Sequence, residues 1–176
     1  FLSKENAVVV DLLPVNPCLP GILSTLQSIK YVRTVVTSAA YIASLLLRVW
    51  RYDVIHIFSA SYLSFLLAPT PAIFVSKLYR KKTILNYRSG EAEDHLTRSR
   101  VAVHIMKMVD LLIVPSCYLV DVFRKFDLEA RWIFNFVQLD QFRWRERNPL
   151  RPSFLSNRNF EAHYNVKCVL KAFQLI

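Results

Sequence analysis

Short apolar runs, almost free of charge, alternate along this chain with longer stretches whose apolar residues recur every three or four positions. The runs are Ala7-Val8-Val9-Val10, Asp53-Val54-Ile55-His56-Ile57-Phe58, Lys82-Thr83-Ile84-Leu85-Asn86-Tyr87, Asp110-Leu111-Leu112-Ile113-Val114-Pro115 and Arg131-Trp132-Ile133-Phe134. The stretches between them predict helices over Ile22 to Leu47, from Tyr62 onward, over about Glu91 to Lys107, and over Tyr118 to Lys125 behind an N-capping Ser116. A strand that is apolar throughout, not just at alternate positions, is buried on both faces. Strands of that kind joined by helices build a parallel sheet. The expected fold class is α/β, a Rossmann-like parallel sheet with helices on both faces.

Hydrophobic residues make up 53% of the chain and charged residues 20%, which excludes intrinsic disorder. The run from Val54 to Ser76 holds no Asp, Glu, Lys or Arg and is long enough for a membrane span. His56, four serines and the Pro69-Thr70-Pro71 break divide it instead into a strand and a helix. Only 2 glycines occur, outside any Gly-rich pattern, so a Walker loop and a dinucleotide fingerprint are both excluded. The 3 cysteines, Cys18, Cys117 and Cys168, lie far apart. An odd count without a C-x-x-C pair reads as a reduced, cytosolic chain whose thiols act as small core hydrophobes.

The first domain is expected over residues 1–142. A polar linker comes next, over 143–152, with Arg143, Arg145, Arg147 and Arg151. A second domain opens over 153–176, with a strand at Phe154-Leu155-Ser156-Asn157 and a helix from about Asn165. The chain starts at Phe1, not Met, and stops at Ile176 within an amphipathic pattern, which reads as a piece cut at both ends.

Ligands of doubly wound sheets sit at the carboxyl ends of the strands. The segment Asn86-Tyr87-Arg88-Ser89-Gly90-Glu91 is such a strand end. There Arg88 supplies a fork for phosphate or carboxylate, and Gly90 supplies freedom for close approach or a positive φ. Glu91, Glu93, Asp94 and His95 crowd the next helical turn, where they either complement the helix dipole or hold hydroxyls and move protons. Ser116 either caps a helix or meets a ligand. His56, before Phe58-Ser59-Ala60-Ser61, is either a core histidine or a strand-end donor. Arg158 comes directly after the last strand, where an anion would bind. Nothing has metal-ligand spacing, and no Asp-x-Asp pair is present.

With 23 Lys plus Arg against 13 Asp plus Glu, the formal charge is +10, which favours anionic partners. Lys77, Arg80, Lys81 and Lys82 concentrate that charge, either as a solvated helix end or as a contact with an anionic membrane surface. The stretch from Arg143 to Arg151, with Trp144, could touch nucleic acid but lacks any module with the right aromatic platform, so nucleic acid is not an expected partner.

Taken in order, these segments resemble the family-four glycosyltransferases, which have the GT-B fold. Arg51 to Ser59 (RYDVIHIFS) is similar to their "DVVHxxs" strand, and Lys82 to Leu96 to their acceptor loop. Val109 to Ser116 (VDLLIVPS) is similar to "aDxiivxS", Ile133 to Phe142 to the crossover, and Phe154 to Phe173 to the opening of the second domain. The resemblance implies two Rossmann-like domains, of which this chain would hold the first and the start of the second. It implies transfer of a hexose from a nucleotide sugar, with retention of configuration, no metal and no cofactor beyond that co-substrate. The acceptor would be a sugar, a lipid or another hydroxyl compound, met in the cytoplasm or at the inner face of a membrane.

Carried over position by position, the resemblance puts Arg88, Ser89, Gly90, Glu91, His95 and Ser116 at the acceptor. It puts Asn135 and Arg158 at the donor, with a catalytic glutamate pair beyond Ile176. Arg88 stands where many members have His, Phe134, Phe136 and Gln138 replace the usual Pro, Gly and Asp, and Tyr164-Asn165 replaces Lys-Gly. A non-catalytic membrane-surface or ligand-binding module on the same sheet is the alternative.

Overall fold

The computed structural model describes residues 8–17, 30–59, 61–142, 146, 148–149 and 154–175. The chain divides into two compact units, Phe1–Phe136 and Val137–Ile176. In the first, the elements run α1 (Lys30–Arg48), β1 (Val54–Ser59), α2 (Tyr62–Leu67), α3 (Pro69–Leu78), β2 (Lys82–Tyr87), α4 (Ala92–Arg98), α5 (Arg100–Met106), β3 (Leu111–Val114), α6 (Cys117–Arg124) and β4 (Ala130–Trp132). The four strands form one parallel sheet in the order β1-β2-β3-β4. The α/β class and the Rossmann-like parallel sheet are those that the alternating runs predict; the expectation of helices on both faces is not met by the connecting helices.

Each connection advances one strand in the same direction. Right-handed crossovers, which parallel strands adopt almost without exception, then gather the connecting helices over one face. The burial agrees with that geometry. Ile57, Thr83, Leu85, Tyr87, Leu112 and Val114 all point to one face and are buried with Phe65, Ile73, Leu96, Met106 and Phe123. The opposite face is more open at its β1 end, where Val54 is 51% and Phe58 60% exposed.

Local chemistry sets the helix ends. Ser116 caps α6 by accepting from the Leu119 N–H at 3.3 Å. The helix expected over Glu91 to Lys107 is in fact two. Ser99 is extended (φ −126°, ψ 88°), and its hydroxyl accepts from the Ala102 N–H to cap α5. A serine competes for backbone donors in this way and can end one helix while starting another. The apolar run from Val54 to Ser76 likewise resolves into β1, α2 and α3, with Pro69 opening α3.

Of the helix expected over Ile22 to Leu47, residues 22–29 lie outside the described residues, and α1 covers the rest. By length and composition, Val32–Arg51 could cross a membrane. One side of it nevertheless belongs to the core: Tyr41, Leu45 and Val49 are buried. The Tyr41 hydroxyl donates to the Ala68 carbonyl, and Tyr79 donates back to that of Leu46.

Three further expectations fail. Val8–Val10 and Phe154–Asn157 are not strands, and Leu155 is 87% exposed. β-branched or apolar composition does not supply a ladder partner, and an unpaired strand gains nothing from extension. Cys117 and Cys168 are exposed, not core hydrophobes, because each sits on the outer side of its helix. Cys18 and the linker residues Arg143, Arg145, Arg147 and Arg151 lie outside the described residues. In the second unit, α7 (Val166–Phe173) buries Val166 and sets Phe173 edge-on to Phe154 at 5.3 Å.

One carboxylate joins the starts of β2 and β3. Asp110 accepts from the Thr83 N–H at 2.9 Å and from its hydroxyl at 2.8 Å, while the Asp110 N–H bonds back to Thr83. Lys77 at 2.8 Å and Lys82 at 3.2 Å complete the set. Two of the four clustered bases therefore already face a carboxylate of the fold itself. Lys77 and the Thr83 N–H hold the Asp110 carboxyl well below the usual carboxylate range. Hydrogen bonds to charged groups contribute about 1.5–3 kcal/mol each. Asp110→Ala should therefore lower the unfolding free energy by about 2 kcal/mol in urea titrations at pH 7. A depressed carboxylate stabilises above its unfolded value near pH 3.9 and loses that contribution as pH falls towards its folded value. The gap between wild type and Asp110→Ala should accordingly close on acidification below pH 4.

Candidate functional site

A parallel sheet brings the carboxyl ends of all its strands to one pole. The register pairs Ser59 with Tyr87, Asn86 with Ile113 and Val114 with Trp132. The segments that leave the sheet at Ser61, Arg88–Glu91, Pro115–Ser116 and Ile133–Asn135 therefore emerge together. Strand alternation splits their side chains between the two faces.

On the helix-covered face lies a buried polar chain. The Ser61 hydroxyl is 2.9 Å from the Tyr87 hydroxyl, which is 3.1 Å from His95 Nδ1. His95 is 1% exposed and ringed by Tyr62, Phe65 and Tyr87 at centroid distances of 5.3, 5.4 and 6.1 Å. Burial pushes its pKa down, and the nearby Asp94 and Glu91 oppose that shift. Tyr62 opens α2 at φ 55°, a left-handed conformation that costs a bulky residue on the order of 1–3 kcal/mol. Its hydroxyl donates to Asp94, which pushes the Tyr62 phenol up to about 12. Arg98 Nε holds the other Asp94 oxygen at 2.9 Å.

The open face carries a different group. His56 stacks on Phe58 at 4.7 Å, and Asn86 Nδ2 is 3.4 Å from His56 Nε2. Arg88 Nε donates to Asn86 Oδ1 at 3.3 Å, and its guanidinium carbon lies 5.7 Å from the Phe58 ring centroid. Partial burial first, and then the Arg88 charge, lower the pKa of His56.

The expected acceptor residues are distributed between these settings. Arg88, Ser89, Gly90 and Glu91 form one turn, in which the Ser89 hydroxyl accepts from the Glu91 N–H at 3.3 Å. His95 lies in the core next to that turn, and Ser116 is occupied as a cap. Glu93 and Asp94 are engaged by Lys125 and Arg98. Asn135 is exposed just past β4. Arg158 belongs to the second unit, where it lies over the Tyr164 ring at 5.1 Å. Of the two roles expected of Gly90, the positive φ is not found: its φ is not left-handed, and a Cβ there would meet none of the protein's own atoms within 4 Å.

Sequence reasoning passed over Phe58 and Tyr62 as site residues. The period of two in neighbouring strands was the available signal for the first, since 56 and 58 share a face with 86 and 88. Among the described residues, no three His, Cys, Asp or Glu side chains converge as a metal site would need. No family model matches the sequence, and no curated protein matches it.

Both histidines are held below their ordinary value, so the unfolded chain takes up protons first on acidification. Their contribution is complete above about pH 6.5 and declines as pH falls through that value. Melting temperatures scanned from pH 7.5 to 5.5 should drop, and His95→Phe, which keeps the aromatic packing, should make that drop shallower. Gly90→Ala should melt at the wild-type temperature or slightly above it, since reduced freedom of the unfolded chain contributes about 0.4–1 kcal/mol.

Proposed function

We propose that this chain is the acceptor-binding part of a retaining hexosyltransferase that uses a nucleotide sugar and no metal. One observation carries the reading. The segments Lys82–Leu96 and Val109–Ser116, singled out by their resemblance, each span a strand together with the turn that leaves its carboxyl end, and Arg51–Ser59 spans β1 up to that end. Ligands of open parallel sheets bind there. A further support is the preorganised cation at that pole: Arg88 is exposed, yet oriented by Asn86.

The chemistry is governed by charge. Departure of a nucleoside diphosphate builds negative charge, and donors fixed before the reaction stabilise it without reorganising. In this reading Asn135 and Arg158 are donor-side residues, each within its own unit. Arg88 and the Ser89–Glu91 turn hold the acceptor, with Ser116 at the edge. His95 positions the turn through Tyr87 and does not itself meet substrate.

The test is transfer by the intact protein from a panel of nucleotide sugars, with the product anomer read by proton NMR. Retained configuration is the expected result. Arg88→Ala should cut the rate about ten- to hundredfold, the equivalent of one charge-assisted contact. Its unfolding free energy should stay within about 0.5 kcal/mol of wild type, as for most surface substitutions. Full activity in a normally folded Arg88→Ala would remove the turn from the site. Absence of any turnover would leave the non-catalytic binding module as the better reading.

A further inference from the structure

We infer that His56, Phe58, Asn86 and Arg88 form a subsite for a sugar phosphate, with the phosphate on Arg88 and the sugar ring on the face of Phe58. The sugar half rests on the transferase reading; the phosphate half rests on this geometry alone. Phe58 is 60% exposed on the open face of β1, the end strand of the sheet, and one residue from its carboxyl end it forms a platform at that pole.

Its neighbours are held in place by one amide. Asn86, only 8% exposed, accepts from Arg88 Nε through Oδ1 and donates to His56 Nε2 through Nδ2. Those two bonds agree on one amide orientation, and they put the His56 proton on Nδ1. With Nε engaged, Arg88 has its two terminal NH2 groups for a planar, bidentate contact, the geometry that suits phosphate oxygens. The groups around Phe58 are thus hydrogen-bond donors, guanidinium and imidazole N–H. A ligand that brings acceptors and negative charge fits them; a neutral polyol, which needs acceptors as well, fits less well. The ring of such a ligand covers the apolar surface that Phe58 exposes.

The phosphate ester can be free or the headgroup of a phosphoinositide, and the experiment separates these sources. Binding of glucose 1-phosphate, glucose, inorganic phosphate and AMP to the protein is measured by ligand-observed NMR titration, with no donor and no turnover. Vesicles of phosphatidylcholine with and without phosphatidylinositol 4-phosphate are tested by sedimentation. We expect glucose 1-phosphate to bind at least about tenfold more tightly than glucose or phosphate, one tenfold step corresponding to a single good contact. Phe58→Ala should bring its affinity down to that of inorganic phosphate, and Phe58→Leu should recover part of the loss. Arg88→Gln should erase the preference for the phosphorylated sugar.

Preferential sedimentation with the phosphoinositide vesicles, lost in Arg88→Gln, would assign the lipid headgroup; its absence, alongside tight glucose 1-phosphate binding, would assign the soluble ester. Equal binding of glucose and its phosphate, or unchanged affinity in folded Phe58→Ala and Arg88→Gln, would overturn the subsite. Tighter binding of AMP than of the sugar phosphate would overturn the sugar assignment. The binding readout involves no transfer, so failure of the transferase reading registers in the rate assay and failure of the subsite registers here.

Discussion

The reciprocal bonding of Asp110 and Thr83 is the constraint on which the rest of the sheet depends. Two backbone-linked contacts and a hydroxyl fix Asp110 beside Thr83, which sets Ile84 opposite Leu111 and Asn86 opposite Ile113. A parallel pair has no hairpin to set its register, so the register must come from such contacts and from the buried faces. A slip of one residue would turn Leu85 and Tyr87 to the open face and Asn86 into the core. The lysines on this carboxylate compensate its charge where it is only partly solvated. They also tie the end of α3 and the start of β2 to the same point.

That register divides the chemistry at the other pole between the two faces of the sheet. On the covered face the residues at the strand ends form a closed set: Ser61, Tyr87 and His95 satisfy one another among aromatic rings, with the imidazole kept neutral by burial. Such a set gives rigidity. It holds the start of α4 against the end of β2 and so fixes the turn between them. On the open face the same strands present a cation and a bare aromatic ring to solvent. The buried chain positions the loop, and the exposed group has the capacity to recognise a ligand. The strained Tyr62 belongs to the first role, since its φ of 55° is sustained by packing on His95 and by the bond to Asp94.

Legibility from sequence tracked the physics of each element. β2 matches its expected limits, and β1, β3 and α6 match theirs within a residue or two, because continuous apolar runs and a serine cap are local signals. Val8–Val10 and Phe154–Asn157 carried the same composition without becoming strands, since a strand is completed by a neighbour that composition does not reveal. The broken helix at Ser99 was readable only in retrospect: serine is compatible with both a continued helix and a cap.

For the site, the sequence alone determined that charged and small residues stand at strand ends: Arg88, Ser89 and Gly90 after one apolar run, Ser116 after another. It also determined the excess of positive charge that makes anionic ligands the natural partners. Tertiary structure decided which of those residues face solvent. In the sequence His56 lies inside an apolar run and His95 among acids in a helical turn, and each is open to a structural or a site role. Packing placed one on an exposed ring and the other inside a cage of three aromatic side chains. The reason is that strand alternation sets the face of His56 and helical position that of His95, but whether a face of the sheet is covered depends on which way the chain crosses to the next strand. That choice is made by the sheet as a whole and by no single residue.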